Sequence, residues 1–411
     1  MKQYDVMIIG GGAAGLTAAL SASKQGAKTL ILEGAPRVGR KILASGNGRC
    51  NLANARRAPY PGGNDFARSV LAQVPVDQVL AFFHDLGLVT VEEEGGRVYP
   101  GCGQAAAVLD VLRAGLARQG VETLADAPVT SLKIIPGGLR LTTPQGSFEA
   151  PAVIAAFGGM AGGKLGHDGS PYRLLTDLGH TLIPPFPALT PLTAEKSAVK
   201  GLSGQRAPVL LTLCGRKNNR PIAVPCQGEA LFTDYGVSGV CAMELARYAA
   251  EEQKKTGLWP MLYMDFSPML GLAPRAFGWL SPRQGDPERN LSAVQAFLEE
   301  RLHRMPKEAL LRGMVPRLLA ERLQGQSLSQ LARSLAAFPV PLTGIKGMDA
   351  AQVTAGGIST QEFDRDTLES RLVPGLFAAG ELLDVDGDCG GYNLQFAFAS
   401  GLIAGKNAAA H

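Results

Sequence analysis

The first thirty-three residues place the strongest constraint on what this chain can fold into. A mostly apolar run, Tyr4–Ile9, leads into the glycine-rich stretch Gly10–Gly15, and an alanine-rich stretch typical of a helix follows. A second apolar run, Thr29–Leu32, ends on Glu33. This order of strand, glycine turn, helix, strand and acid is typical of a βαβ unit that binds a dinucleotide.

Each glycine of the turn has its own role in such a unit. Gly10 permits the tight turn, Gly12 lets the backbone approach a diphosphate, and Gly15 lets the helix pack closely on the strand. The helix N-terminus adds unpaired N–H groups and the positive end of its dipole. Glu33 follows Gly15 by 18 residues, close to the spacing at which an acid accepts hydrogen bonds from an adenosine ribose.

The segment after this unit favours a flavin over a nicotinamide cofactor. A nicotinamide domain would normally continue into a helix, whereas residues 34–51 stay rich in glycine and in cations. Arg40, Lys41 and Arg49 are suited to phosphate or to the negative charge of a reduced ring. The stretch Ser45–Gly48 has little side-chain bulk, so its backbone can lie against a flat ring.

At Gly39–Asn51 the chain resembles the signature of a family of bacterial FAD-dependent oxidoreductases, which includes 3-dehydro-bile-acid reductases and aminoacetone-oxidase-like flavoproteins. Three further stretches match that family in the expected order, namely Gly228–Gly239, Val353–Ile358 and Gly375–Gln395. The resemblance implies an α/β fold with a Rossmann-like FAD-binding domain, of the glutathione-reductase-like two-dinucleotide-domain flavoprotein superfamily. It also implies an inserted substrate domain, strand-rich in one part and helical in another.

Three positions depart from the family pattern. Asn47 stands where glycine is expected, Val240–Cys241 stands where Gly-Pro is common, and Phe157 stands where threonine is usual. None of them removes a glycine expected to cradle phosphate. Their places near the expected ring or substrate predict an effect on specificity.

The resemblance and the glycine turn together predict that FAD is bound non-covalently. The final helix is expected to begin near Asn393, where its N–H groups can face the pyrimidine carbonyls of the flavin. The expected cofactor-binding residues are Gly10, Gly12, Ala13, Ala14, Gly15, Glu33, Arg40, Lys41, Ser45, Gly46, Gly48, Arg49, Cys50, Asn51, Val129, Gly158, Gly159, Gly380, Glu381, Asp384, Gly391, Tyr392, Asn393 and Leu394.

Changes of pattern along the chain predict a cofactor domain that is interrupted by an insertion. Residues 1–187 and 346–411 are expected to form the FAD-binding domain, and residues 188–345 the substrate domain. Within the insertion, 188–270 looks strand-rich and 288–338 looks helical. No second dinucleotide fingerprint is present, so NAD(P)H is expected to bind transiently as electron donor, with a separate reductase as the alternative.

Composition narrows the class of protein. With 46% hydrophobic and 18% charged residues, the chain can bury large cores. A net charge of +4, spread along the chain, predicts no nucleic-acid partner. No apolar stretch approaches the roughly 20 residues that span a bilayer, so no membrane partner is expected. The chain opens on a strand pattern rather than a leader, and we expect a cytoplasmic protein.

The cysteines and histidines give no metal pattern. The chain has six cysteines without a C-x-x-C and five scattered histidines, so the sequence predicts no metal site. Cys50 and Cys389 both fall in segments expected to surround the flavin. We expect two inert buried thiols, and the alternative is a redox pair that exchanges electrons with the flavin.

The family resemblance implies reduction of a conjugated enone in a small-molecule substrate, of the 3-oxo-4-ene steroid or bile-acid type. Such a reaction needs hydride from flavin N5, an acid for the α-carbon and a donor for the carbonyl oxygen. Tyr235 and Tyr392 are the candidate donors, and Arg49 can stabilise an enolate or the flavin. The alternatives are a flavin-dependent amine oxidase and an RNA-associated or regulatory flavoprotein.

Overall fold

A computed structural model describes residues 3–56, 60–273, 278–279 and 286–411, which form two compact units. Unit 1 runs to Phe186 and resumes at Val353, and unit 2 is Pro187–Gln352. Each unit buries its own cluster of apolar side chains. Each therefore has a separate hydrophobic core, as a domain requires.

Unit 1 alternates strands and helices before the chain enters unit 2. Its strands there are β1 (Val6–Ile9), β2 (Thr29–Leu32), β3 (Ala53–Asn54), β4 (Thr90–Glu93), β5 (Arg97–Pro100), β6 (Glu122–Leu124), β7 (Ser131–Ile135), β8 (Gly138–Thr143), β9 (Gly146–Ala150), β10 (Ala152–Ala155) and β11 (Leu182–Ala188). Its helices there are α1 (Ala13–Lys24), α2 (Arg40–Ala44), α3 (Asn64–Gln73), α4 (Val76–Asp85), α5 (Ala105–Arg118) and α6 (Arg173–Thr176).

Unit 2 places most of its strands before a run of helices. Its strands are β12 (Leu192–Ala194), β13 (Arg206–Cys214), β14 (Cys226–Phe232), β15 (Gly236–Ser238), β16 (Met261–Asp265), β17 (Gly278–Trp279) and β18 (Phe338–Ile345). Its helices are α7 (Lys196–Val199), α8 (Val240–Glu244), α9 (Ala246–Thr256), α10 (Leu291–Leu302), α11 (Lys307–Met314), α12 (Arg317–Leu323) and α13 (Leu328–Ala336). Unit 1 then resumes with β19 (Val353–Ile358), β20 (Leu376–Ala378) and α14 (Tyr392–Ala408).

The central sheet of unit 1 has the strand order β20-β10-β1-β2-β6, with parallel pairing throughout. Every residue of β1, β2 and β10 is buried, as expected for parallel strands covered on both faces. The next strand along the chain, β2, pairs with one edge of β1, and β10 pairs with the other edge of β1. This reversal at β1 is the topological switch point where such sheets bind ligands, and it confirms the predicted Rossmann-like fold.

Smaller sheets complete unit 1. The strands β7, β8 and β9 form an antiparallel meander, and β3, β5 and β4 form a second three-stranded sheet. A two-stranded sheet joins β11 to β19.

Unit 2 contains an antiparallel sheet in the order β13-β16-β18-β12-β15-β14-β17. Because β13 also pairs with β14, six of these strands form a closed ring of pairings. The helices α10 to α13 lie in the stretch that the sequence predicts to be helical. Helices α7, α8 and α9 fall inside the stretch expected to be strand-rich, so that expectation was incomplete.

The chain passes from unit 2 back to unit 1 at Val353, which is later than the predicted boundary at residue 346. Residues 346–352 belong to unit 2 rather than to the resumed cofactor domain. Backbone hydrogen bonds explain this, because the N–H of Lys346 donates to the carbonyl of Pro191 at 2.9 Å. The N–H of Gln352 likewise donates to the carbonyl of Leu189 at 3.1 Å.

Within the described residues, no helix is long and apolar enough to cross a membrane. In the same part of the chain, no group of three or more histidine, cysteine, aspartate or glutamate side chains is placed to hold a metal ion.

Close packing of α1 on α14 joins the first and last elements of unit 1. A Cβ on Gly401 of α14 would overlap the carbonyl oxygen of Ala14 and the hydroxyl of Thr17. A Cβ on Gly405 would overlap the carbonyl oxygen of Ala18. The two helices therefore approach so closely that only glycine fits at these positions.

We predict that Gly401→Ala lowers the free energy of unfolding of unit 1 by about 1–3 kcal/mol, because an added methyl group forces the two helices apart. Gly313 of α11 provides a matched control, since a Cβ there meets no atom within 4 Å. Gly313→Ala is expected to be neutral or to stabilise by up to about 1 kcal/mol. Thermal and urea unfolding of both variants measure the difference, and equal stability of the two would contradict the packing argument.

Candidate functional site

The glycine turn between β1 and α1 lies at the switch point of the central sheet. Gly10 has a φ of 100°, and its N–H donates to the carbonyl of Leu32 at 2.8 Å. A Cβ on Gly10 would lie 2.7 Å from the carbonyl oxygen of Ala156, and one on Gly15 would overlap the carbonyl oxygen of Gly10. Contacts within the protein therefore require glycine at both positions.

Gly12 differs from these two glycines, because a Cβ there would meet no atom within 4 Å. Gly12 is the N-cap of α1, no side chain caps this helix end, and its first turn, which includes Ala13 and Ala14, contains no acid. The N–H groups that begin a helix have no partner within the helix and carry the positive end of its dipole. This open end fits a diphosphate.

The carboxylate of Glu33 lies beside the same turn. Its Oε2 accepts the N–H of Gly11 at 2.7 Å, and its Oε1 accepts the N–H of Ala35 at 2.7 Å. Each carboxylate oxygen has a further lone pair. Glu33 can therefore hold the turn and still accept hydroxyl groups of a ribose, which stays a prediction.

Two cations predicted to bind phosphate have protein partners. Lys41 Nζ lies 2.6 Å from Oε2 of Glu381, with the two side chains 31% and 22% exposed. The Oε1 of Glu381 accepts the N–H of Thr354 at 2.9 Å. Arg40 donates to the carbonyl of Lys164 at 3.1 Å. Burial disfavours the charged form of Glu381, but Lys41 and the bonds from Thr354 outweigh it, so the pKa of this carboxyl is lowered.

Arg49, a candidate for stabilising an enolate or the flavin, is engaged by an acid that the sequence did not reveal. Its guanidinium donates to both oxygens of Glu93, at 2.5 and 3.3 Å, and lies over the ring of Tyr99 at 4.2 Å. The hydrogen bond with Glu93 raises the pKa of Arg49 and lowers that of Glu93. Any anion that binds Arg49 must compete with this carboxylate.

The stretch Ser45–Gly48 forms a tight turn whose backbone is partly left-handed. Gly46 and Asn47 both have φ values of 55°, and Cys50 has a φ of 56°. The side chain of Cys50 is fully buried, and burial raises the pKa of its thiol to about 11 despite an opposing hydrogen bond from Ser45. A thiol with so high a pKa stays protonated near neutral pH and reacts poorly.

The final helix, α14, begins at Tyr392, near Asn393 as the sequence predicts. Gly391 is its N-cap, with a φ of 104° and no side-chain cap. The side chain of Asn393 is used by the preceding loop, since its Oδ1 accepts the N–H of Gly387 at 2.8 Å and its Nδ2 donates to the carbonyl of Gly387 at 2.9 Å. Tyr60 donates to the carbonyl of Tyr392 at 3.0 Å, and the two rings meet edge to face.

The start of α14 lies against the segment that follows Cys50. Asn54 Nδ2 donates to the carbonyl of Gly390 at 2.8 Å, and the Asn54 N–H donates to the side chain of Gln395 at 3.1 Å. A Cβ on Gly391 would lie 2.7 Å from Oδ1 of Asn51. That Oδ1 is buried and has no hydrogen-bond partner among the described residues. A buried acceptor of this kind requires a donor, and a flavin ring carries one as an N–H.

The turn Gly158–Gly159 follows β10 and lies between the glycine turn at Gly10 and the Glu381 carboxylate. Gly10 packs on the backbone of Ala156, just before Gly158. A Cβ on Gly159 would lie 2.5 Å from the hydroxyl of Thr354 and 2.8 Å from Oε1 of Glu381. Gly380 completes this group, because a Cβ there would lie 2.8 Å from the Cβ of Ala14.

Other predicted site residues have different surroundings. Tyr235 belongs to unit 2, where the ammonium of Lys346 lies 3.9 Å from the centre of its ring. Val129 lines a cavity of about 870 Å³ beside β7 and α6. Asp384 donates its N–H to the carbonyl of Ile358 at 2.9 Å, and Leu394 packs against the apolar core of unit 1.

Several residues that shape the site were missed from the sequence. Glu93 and Thr354 bind two predicted site residues, and Gln395 accepts the N–H of Asn54 beside the start of α14. His167 and Tyr172 lie beside the Gly158–Gly159 turn. Thr354 and Gln395 fall inside family motifs, so the resemblance could have identified them. Glu93 and His167 lie outside those motifs and gave no signal.

Similarity to known proteins extends over nearly the whole chain. Residues 4–407 match a family model described as the HI0933-like protein Rossmann domain. The chain is 37% identical, over 98% of both chains, to a 3-dehydro-bile acid delta(4,6)-reductase of Clostridium scindens. It is 28% identical, over 99% of its own length and 100% of the other, to a ribosomal RNA dihydrouridine synthase of Escherichia coli.

Among solved structures, a 3-ketosteroid delta1-dehydrogenase of Sterolibacterium denitrificans matches with a TM-score of 0.53 and 14% identity, over 100% of both chains. Identity this low shows a shared fold and nothing more. The family model, by contrast, covers almost the whole chain. The chain therefore belongs to the HI0933-like protein family, the bacterial FAD-dependent oxidoreductases that its motifs resemble.

Proposed function

We propose that this protein is an FAD-dependent reductase of a carbon–carbon double bond conjugated to a ketone, in a flat steroid-like or bile-acid-like substrate. The observation that carries the proposal is the 37% identity, over 98% of both chains, to a 3-dehydro-bile acid delta(4,6)-reductase. NAD(P)H is proposed as a transient electron donor.

In this proposal, residues of unit 1 provide the hydrogen-bonding groups that hold FAD. FAD, when bound, supplies two-electron hydride chemistry, and the protein supplies position and electrostatics. The open N-terminus of α1 at Gly12 suits the diphosphate, and Glu33 suits the ribose. The buried Oδ1 of Asn51 and the uncapped start of α14 suit the polar edge of the ring. In this proposal, mostly backbone groups and helix ends contact the flavin ring and the diphosphate.

Reduction of an enone also requires a proton and a donor to the carbonyl oxygen. We propose Tyr235 as the first candidate for this donor and Tyr392 as the second. The Lys346 ammonium over the ring of Tyr235 restricts the orientation of that side chain. Tyr392 lies at the start of α14, beside the segment that contains Asn51. Arg49 remains the candidate for stabilising negative charge on the enolate or the flavin. Either group would compete with the Glu93 carboxylate for the Arg49 guanidinium.

A second candidate function has a specific observation in its favour. The chain is 28% identical over its length to a ribosomal RNA dihydrouridine synthase. The double bond of uracil that such a reaction reduces is also conjugated to a carbonyl, so the two reactions need similar groups. RNA binding draws on a clustered basic surface, whereas the net charge here is only +4. We therefore rank the small-molecule substrate first.

Anaerobic reoxidation of the reduced flavin tests these functions directly. We expect flat 3-oxo-4-ene steroids to reoxidise the flavin faster than unmodified ribosomal RNA does. Small amines should fail to reduce the oxidised enzyme. Stopped-flow traces in which RNA alone reoxidises the flavin would favour the second candidate, and reduction by amines without reoxidation by any enone would favour an oxidase.

We predict that Glu33→Ala weakens FAD binding by roughly 10- to 100-fold, because a hydrogen bond to a charged group contributes about 1.5–3 kcal/mol. Glu33→Gln should lose less, since its amide oxygen can still accept one N–H from the turn. Glu92→Ala, at an exposed position on β4, provides the control. Titration of each refolded apoprotein with FAD gives the affinities, and an unchanged value for Glu33→Ala would refute this role.

We predict that Tyr235→Phe leaves FAD binding intact and slows reoxidation by an enone about 10²- to 10⁴-fold, if the phenol is the general acid. Reduction by dithionite, which needs no substrate proton, should be unchanged. Tyr263→Phe, on β16 of the same unit, serves as the matched control. Should Tyr235→Phe reoxidise at the wild-type rate, the proton comes from another group, and Tyr392→Phe is then the variant to compare.

A further inference from the structure

Tyr235 lies in a short loop of unit 2 that hydrogen bonds hold in place. The loop joins β14 to β15, and the hydroxyl of Thr233 accepts the N–H of Gly236 at 3.0 Å. The carbonyl of Gly236 in turn accepts the N–H of Thr233 at 2.9 Å. The carbonyl of Tyr235 accepts the N–H of Ala194 at 2.9 Å. These bonds fix the backbone that carries the Tyr235 side chain.

The backbone of Lys346 is held from the other side of the same strand. In the sheet, β12 lies between β15 and β18, and Lys346 directly follows β18. Its N–H donates to the carbonyl of Pro191 at 2.9 Å. Its carbonyl accepts the hydroxyl of Thr190 at 3.2 Å, and Thr190 is fully buried. The sheet therefore holds Tyr235 and Lys346 in a fixed relation, with β12 between them.

The ammonium of Lys346 lies over the face of the Tyr235 ring. Its Nζ is 3.9 Å from the ring centre, where the negative face of the ring attracts a cation. Among the residues that the structure describes, no carboxylate forms an ion pair with this Nζ. Both residues are only partly buried, so a ligand can reach the ammonium and the phenol.

Lys346 differs in this respect from Arg49, the other candidate for stabilising an enolate. The guanidinium of Arg49 is paired with the carboxylate of Glu93. An aromatic ring has no net charge, so it attracts the Lys346 ammonium without neutralising it. The ammonium has three N–H donors on a flexible chain. It can therefore turn from the ring toward an anionic oxygen that binds at the Tyr235 hydroxyl.

The proposed reduction creates an oxygen of this kind. Hydride from the reduced flavin adds to the β-carbon of the enone, so the flavin is oxidised and the double bond is reduced. The electron pair of that double bond moves toward the carbonyl, whose oxygen becomes a negatively charged enolate oxygen. A proton then joins the α-carbon, and the ketone forms again. A cation near the oxygen speeds the reaction because it acts on charge that develops only in the transition state.

We propose that Lys346 is a catalytic residue which stabilises the enolate oxygen of the substrate while the Tyr235 hydroxyl donates a hydrogen bond to it. This inference rests on the proposed function, because it takes Tyr235 to bind the carbonyl oxygen of an enone. It assigns the enolate to Lys346 rather than to Arg49, whose guanidinium has a carboxylate partner in Glu93.

The kinetic test compares Lys346→Met, Lys346→Arg and Lys196→Met with the wild-type protein, each loaded with FAD. Methionine keeps an unbranched apolar chain beside the Tyr235 ring but removes the charge. Lys346→Met should therefore slow reoxidation of the reduced flavin by a 3-oxo-4-ene steroid about 10²- to 10³-fold. Lys346→Arg keeps the charge and should recover much of the lost rate. Lys196→Met, at an exposed position on α7 of the same unit, should match wild type.

Binding of 4-nitrophenol to the oxidised, FAD-loaded proteins gives a second readout that needs no turnover. This phenol ionises near neutral pH, and its anion places negative charge on an oxygen of a flat conjugated molecule, as an enolate does. A nearby opposite charge favours an ionised group by about 1–3 pH units. Calorimetry should therefore show that wild type binds the anion at least about tenfold more tightly than Lys346→Met does. The neutral phenol, measured at lower pH, should bind both proteins equally.

The outcomes separate this inference from the proposed function. A wild-type flavin that no enone reoxidises would refute the proposed function itself. If an enone reoxidises wild type and Lys346→Met equally fast, or if the two proteins bind the 4-nitrophenol anion equally, the role of Lys346 alone is wrong. Slow reoxidation of Lys346→Met accompanied by weakened FAD binding would also overturn that role. Thermal unfolding of each variant confirms that it is folded before its rate and affinity are compared.

Discussion

The site in unit 1 depends on how closely backbone can approach backbone around α1. Because residue 15 is glycine, α1 can pack against the carbonyl oxygen of Gly10. Gly10 in turn packs against the backbone of Ala156, which directly follows β10. On its other side α1 meets α14 through Gly401 and Gly405. These contacts pack the first and last helices of unit 1 directly against each other. The uncapped starts of both helices then lie within one unit, where a ligand can use their N–H groups.

The charges of the site follow from the same arrangement. Lys41 and Arg49 both have carboxylate partners, Glu381 and Glu93. Under the proposed function, a cofactor would meet these two cations already paired, so we expect helix ends and backbone N–H groups to meet much of its negative charge. Gly12, with no atom near its missing Cβ, is the place where a diphosphate has room to approach.

Much of the fold could be predicted because its determinants are local. The run from Tyr4 to Glu33 contains the strand, turn, helix and acid in sequence order, and the structure places Glu33 against Gly11. The pairing of Lys41 with Glu381 could not be predicted, since 340 residues separate them and no local pattern links them. Helices α7, α8 and α9 were missed because strand patterns dominate the sequence of residues 188–270. The boundary between unit 2 and the resumed unit 1 could not be predicted either. Backbone hydrogen bonds from Lys346 and Gln352 hold this segment in unit 2, and a pattern of side chains does not reveal them.

We expect FAD to bind with its diphosphate against the backbone at Gly12. The most direct test is the FAD affinity of Gly12→Ala, measured by calorimetry on the refolded apoprotein. Because the added Cβ enters open space, the thermal unfolding midpoint of the apoprotein should be unchanged. The same Cβ should block the approach of the diphosphate and weaken FAD binding by at least about tenfold, or about 1.4 kcal/mol. An unchanged affinity for FAD in a normally folded Gly12→Ala protein would contradict a diphosphate site at Gly12.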